Sequence, residues 1–93
     1  MSSVAMDAQQ LEAVESLLDE YELMICDRLG QIEFWHRKKL RVSERVDRST
    51  HPNKAVAATL ILNRLREKIC LAERQIAVLE FNAANLRQRS QIL

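Results

Sequence analysis

The stretch RSTHPN at residues 48–53 is the strongest break in a chain of 93 residues that holds a single glycine and a single proline. Proline pushes the preceding His51 out of helical geometry, and Pro52 itself suits the first turn of a helix. Serine and threonine favour turns and helix caps. We therefore predict a tight connection over residues 48–52, between a helix at about 7–47 and a helix at about 53–91, within one domain spanning 1–93. Ser3 and Asp7 are the candidate caps of the first helix.

The segment before this break carries a seam of residues spaced alternately three and four apart. Nine of the eleven seam positions are apolar, which is typical of a coiled-coil helix. Arg28 and Lys39 interrupt the seam. Because Leu29 and Leu40 lie next to them, a shift of the apolar stripe by one residue at each interruption is the alternative. The spacing runs in register through Gly30, so we predict one continuous helix; a helix break or a close backbone approach are the alternatives. The seam consists of Leu11, Val14, Leu18, Tyr21, Ile25, Arg28, Ile32, Trp35, Lys39, Val42 and Val46.

The segment after the break keeps heptad register throughout, with eleven apolar residues at twelve seam positions. Each segment has about 40 residues, which corresponds to a helix of about 60 Å. Equal lengths and a short connection predict an antiparallel pair. The fold class is therefore all-α, a coiled-coil-like two-helix hairpin. The second seam consists of Ala55, Ala58, Leu62, Leu65, Ile69, Ala72, Ile76, Leu79, Ala83, Leu86, Ser90 and Leu93.

Apolar residues also lie away from both seams, and they predict a partner. Those of the second helix are Val56, Leu60, Cys70, Leu71, Ala77, Val78, Phe81 and Ala84, and those of the first are Leu17, Leu23, Met24 and Phe34. A helix that is apolar on two sides is normally buried on two sides, and one antiparallel neighbour covers only one. We predict an interface formed by Leu60, Leu71, Val78, Phe81, Phe34 and Trp35. The partner is either a second copy, giving a homodimer or homo-oligomer with a four-helix or larger bundle, or an obligate different helical protein.

Charge is distributed unevenly along the chain although the net charge is only +1. Residues 1–33 hold eight acids and one base, residues 34–48 hold six bases and two acids, and residues 49–93 hold seven bases and three acids. The favoured interpretation is attraction between the acidic start and the basic end of the hairpin. The alternative is an external acidic ligand, nucleic acid included, held by Arg37, Lys38, Arg41 and Arg45 next to the aromatic pair.

The sequence predicts no catalytic, cofactor or metal site and no small-molecule substrate. His36 and His51 lack neighbours at metal-ligand spacing, and Cys26 and Cys70 are too few for a disulfide framework. A less favoured alternative is a small all-helical dimeric enzyme of the chorismate mutase type, for which the seam residue Arg28 and its counterpart Lys39 are the only features. There is no signal-peptide pattern and no run long enough to span a membrane, so an intracellular, cytoplasmic protein is expected.

These features together predict a non-catalytic interaction module. Small helical hairpins of this general architecture often serve as adaptor subunits or as chaperone-like proteins that add a partner's amphipathic helix to their own bundle. The expected mechanism is therefore association through helix packing.

Overall fold

The computed structural model describes residues 8–47 and 51–92, and the side chains of this part as far as residue 90. It consists of two long helices, α1 (Ala8–Asp47) and α2 (Pro52–Ile92). Arg87 near the end of α2 contacts Glu22 in the first half of α1, so the helices run antiparallel. The predicted all-α helical hairpin is confirmed. The predicted caps Ser3 and Asp7, residues 48–50 of the predicted connection, and the seam residue Leu93 lie outside the described residues.

The position at which α2 begins is determined by its proline. Pro52 is the first helical residue, where its missing N–H is no loss. The carbonyl oxygen of His51 accepts the N–H groups of Lys54 at 3.2 Å and Ala55 at 3.3 Å. His51 therefore closes the first turn of α2 from outside the helix.

Packing between the helices follows the predicted seams. In the described part of the chain the buried side chains all belong to the seam of α2, and they are Ala58, Leu65, Ile69, Ala72, Ile76 and Ala83. The seam residues of α1 from Val14 to Val46 are half-buried, Arg28 and Lys39 included. Leu29 and Leu40 remain 53% and 65% exposed, so the stripe does not drift at either interruption.

The seam residues are exposed to solvent at both ends of the hairpin. Leu11 at the open end is 45% exposed, and Ala55 at the turn end is exposed as well. Both lie within a few residues of a helix terminus, where the neighbouring helix offers fewer side chains. Ser90, the polar residue of the second seam, donates its hydroxyl to the carbonyl oxygen of Leu86 at 2.8 Å. The seam thus tolerates this hydroxyl because its hydrogen bond is satisfied locally.

The hairpin is a thin rod with little interior. Its Cα atoms extend over 75 × 15 × 12 Å, with a radius of gyration of 21.0 Å, whereas a compact domain of this length has a radius of about 12 Å. The accessible surface is 7557 Å², and a compact monomeric protein of 10.8 kDa exposes about 5500 Å². The surplus of about 2000 Å² is surface that folding into a hairpin leaves in water.

Gly30 lies in the middle of α1, and replacing it by alanine is expected to stabilise the protein by about 1 kcal/mol. The predicted continuity of α1 through Gly30 is confirmed, and the close backbone approach is not found, because an added Cβ meets nothing within 4 Å. Alanine therefore removes the helix penalty of glycine without a clash. Thermal unfolding followed by circular dichroism should show a higher midpoint for Gly30→Ala; a lower midpoint would reveal a packing role for the glycine.

Candidate interaction surface

The predicted interface residues are mostly open to solvent in the single hairpin. Leu60, Leu71, Val78 and Phe81 of α2 are between 56% and 66% exposed, and Phe34 of α1 is 56% exposed. Trp35 differs from them, because it occupies a seam position and is half-buried between the helices. The aromatic pair is thus divided, with Trp35 inside the hairpin and Phe34 on its surface.

A two-helix ribbon has two broad faces, one on each side of the seam. With the seam residues at heptad positions a and d, positions c and g of both helices lie on one face, and positions b and e lie on the other. Position f forms the outer edge of each helix. The contacts agree with this arrangement. Met24 and Gln75, both at g, line one groove together, whereas Glu22 and Arg87, both at e, form an ion pair on the opposite face.

The face formed by positions c and g is basic, and we name it the basic face. Among the described residues its bases outnumber its acids by seven to two, which gives a net charge of +5. It includes three of the four predicted ligand-binding bases, while Arg37 lies on the outer edge of α1 and pairs with Glu33. It also holds Leu71, Val78 and Phe34, three of the six predicted apolar interface residues, whereas Leu60 and Phe81 lie on the outer edge of α2. Its charged residues are Lys38, Arg41, Arg45, Lys54, Arg64, Lys68, Arg89, Glu20 and Asp27.

The face formed by positions b and e is acidic, and we name it the acidic face. Over residues 8–47 and 51–92 its acids outnumber its bases by eight to two, which gives a net charge of −6. Its exposed apolar residues are Leu29, Leu40 and Val56, and both cysteines lie on it, exposed and free. Its charged residues are Glu12, Glu15, Asp19, Glu22, Glu33, Asp47, Glu73, Glu80, Arg66 and Arg87.

The charges on the two faces are concentrated at opposite ends of the rod. In the turn half, residues 28–47 and 52–72, the basic face carries six bases and no acid, a net charge of +6. In the open half, residues 8–27 and 73–92, the acidic face carries six acids and one base, a net charge of −5. The two charge clusters therefore lie diagonally opposite each other.

Ion pairing between the two helices neutralises little of this charge. Arg87 and Glu22 do pair across the helices at 3.3 Å, with their side chains 50% and 62% exposed. Exposed pairs of this kind contribute about 0–1 kcal/mol. The antiparallel arrangement places the basic segment of α1 beside the start of α2, which is itself basic. Among the described residues, the strongest cluster on the basic face therefore has no acid on the same face of its half of the hairpin.

Three open grooves follow one another along the basic face where the two helices meet. The central groove, of about 380 Å³, joins Met24 and Arg28 of α1 to Arg74, Gln75, Val78 and Leu79 of α2. A groove of about 210 Å³ near the turn is lined by Val42, Arg45, Val46, Lys54, Ala57, Ala58 and Ile61. A third, of about 380 Å³ near the open end, is lined by Leu17, Tyr21, Asn82, Asn85, Leu86 and Arg89. The central groove and the groove near the turn are mainly apolar, and the groove near the open end is mainly polar. Mainly apolar grooves with basic residues beside them along one line suit an extended helical occupant.

Within residues 8–47 and 51–92, no three His, Cys, Asp or Glu side chains come together in a group that could hold a metal. Neither helix, over its described length, is apolar enough to cross a membrane. Arg28 is one of the two seam residues on which the enzyme alternative depends. Its guanidinium group contacts the carboxylate of the neighbouring Asp27 at 3.4 Å, and Arg28 lines the central groove together with Arg74.

Comparisons of the chain with models of protein families, with curated proteins and with solved structures find no match. The class that the fold itself defines is an antiparallel helical hairpin. Sequence reasoning missed the division into a basic and an acidic face, because charge was counted along the chain rather than by heptad position. The seam spacing assigns each charged residue to a face and could have revealed the division.

Proposed function

We propose that this chain is a non-catalytic protein–protein interaction module that packs its two helices into a larger helical bundle. The observation that carries the proposal is the imbalance between its small core and its apolar surface. Among the side chains that the structure describes, six apolar residues are buried, half of them alanines, while thirteen larger apolar side chains are exposed. Exposed apolar surface on this scale marks an interaction site, because water penalises it in the free protein.

The grooves of the basic face supply a mechanism. A further helix that lies along them covers Met24, Val78 and Ile61 and turns the two-helix ribbon into part of a three- or four-helix bundle. Adaptor subunits and small chaperone-like proteins work in this way, and we propose that general role. A cytoplasmic location belongs to the proposal, since exposed free thiols such as Cys26 and Cys70 persist in reducing compartments.

The proposal is tested by the stability of the purified chain at several concentrations. We expect an assembly whose unfolding midpoint rises with concentration, or a single hairpin of marginal stability, because the hairpin alone buries too little apolar surface. Urea unfolding followed by circular dichroism, together with light scattering, measures both quantities. A single chain with a concentration-independent unfolding free energy of about 5 kcal/mol or more would contradict the proposal.

Nucleic-acid binding is the second candidate, and the six unopposed bases of the turn half favour it. Such a cluster neutralises phosphates, so binding should weaken steeply with salt. Replacing Lys38 and Arg41 by glutamate is then expected to abolish RNA or DNA binding in fluorescence anisotropy, and the same charge change at Arg66 and Arg87 on the acidic face should weaken it far less. Equal binding by wild type and the Lys38→Glu/Arg41→Glu variant would exclude this face as a nucleic-acid site.

A further inference from the structure

We propose that the basic face of each hairpin is covered by the acidic face of a second copy of this chain, with neighbouring copies antiparallel. This inference rests on the proposed function and names its partner. It requires no residue or ligand beyond those of the chain itself.

Complementary charge is the first argument for a second copy. The basic face has a net charge of +5 and the acidic face a net charge of −6, so each copy carries both halves of a complementary pair. Contact between two acidic faces would oppose like charges, and contact between two basic faces would bring the +6 half at best against an open half of net −1, so a symmetric two-fold dimer leaves the −5 cluster without its complement. Contact between unlike faces brings a net charge of +5 against a net charge of −6, and most of both charges lies in one half of each face.

The position of the charges along the rod sets the relative direction of the copies. The +6 cluster lies in the turn half of the basic face, and the −5 cluster lies in the open half of the acidic face. Fully overlapped rods bring these clusters together only when neighbours run in opposite directions. Parallel stacking would separate them by about half the rod, far beyond the screening length of about 8 Å at physiological salt.

Apolar residues on both faces supply the area that a stable contact needs. The basic face presents Met24, Ile61, Leu71 and Val78, and the acidic face presents Leu29, Leu40 and Val56. A standard interface covers roughly 800 Å² on each partner. The surplus surface of the hairpin, about 2000 Å², is enough for two such patches. Each copy therefore has the surface to contact one neighbour on each side.

Stacking unlike faces has a consequence for the size of the assembly. Such a contact is heterologous, so the outermost copies keep one free basic face and one free acidic face. Further copies add at both ends, and the mass is expected to exceed that of a dimer and to rise with concentration. Because charge drives the contact, the mass is expected to fall in high salt.

A pair of charge-reversed variants tests the inference. The first carries Lys38→Glu, Arg41→Glu and Arg45→Glu on the basic face, and the second carries Glu12→Lys, Glu15→Lys and Asp19→Lys on the acidic face. Each alone is expected to sediment as a single chain of 10.8 kDa. An equimolar mixture is expected to form a one-to-one complex of twice that mass, because the intact acidic face of the first still fits the intact basic face of the second.

Controls and contrary outcomes separate the possibilities. Replacing Glu44 and Glu67 at the outer edges by lysine should leave the wild-type assembly unchanged. If a charge-reversed variant unfolds when alone, circular dichroism shows whether the mixture of the two variants regains helicity. The inference is overturned by a closed wild-type dimer, by a mass that 0.5 M salt does not change, or by an acidic-face variant that still assembles. A marginally stable wild-type single chain, with or without nucleic-acid binding, overturns self-stacking but leaves the interaction module; a highly stable one overturns both.

Discussion

Replacing Leu71 and Val78 together by glutamate is expected to dissolve the assembly into single chains. Both side chains point to solvent from the basic face of the isolated hairpin, so the hairpin itself loses little. In a bundle the same positions are covered, and each substitution forfeits about 2 kcal/mol of apolar burial and adds the cost of desolvating a carboxylate. Together these losses correspond to a weakening of association by at least about a hundredfold.

Sedimentation and circular dichroism distinguish this outcome from simple unfolding. Leu23→Glu is the matched control, because Leu23 is also a leucine, is 70% exposed, and lies on the outer edge of α1. The control is expected to keep the wild-type mass, and the double variant is expected to lose it. A double variant with unchanged mass and helicity would show that the basic face is not an interface.

The seam could be predicted from the sequence because its period follows from helix geometry alone. Spacings of three and four place Leu65, Ile69 and Ile76 on one stripe whatever the partner, and these residues are buried. The interruptions at Arg28 and Lys39 were harder to interpret. Both residues are half-buried and the register continues through them, because a long aliphatic stem packs in a seam while its charged end reaches water.

Features that depend on the neighbouring helix could not be predicted in the same way. The exposure of Leu11 and Ala55 depends on where the opposite helix ends, which local spacing does not specify. The paucity of charge pairing inside the hairpin depends on the antiparallel pairing, which sets Lys38 and Arg45 beside the basic start of α2. Charges summed along the sequence predict attraction between the acidic start and the basic end of the chain. The faces of the folded hairpin are needed to show which charges have no opposite charge beside them.

Replacing Leu65 by alanine is expected to destabilise the hairpin by about 3 kcal/mol, the largest effect of any single substitution considered for this chain. Leu65 is 3% exposed and is one of only three large side chains among the buried residues of the described part. Its truncation removes apolar burial and leaves a cavity, because the alanines at Ala58 and Ala72 on the same seam cannot expand into the space. In a domain with so small a core this loss is comparable to the whole stability.

The comparison with Leu60→Ala isolates the contribution of the seam. Leu60 is five residues earlier on α2 and is 57% exposed at its outer edge, so the same truncation there should cost less than about 1 kcal/mol in the unassembled chain. Urea unfolding at low protein concentration, followed by circular dichroism, measures both variants without a contribution from association. Equal losses would mean that Leu60 is covered as fully as Leu65. We expect instead that Leu65→Ala is largely unfolded while Leu60→Ala remains folded, because the buried side chains of the described part all belong to the seam of α2.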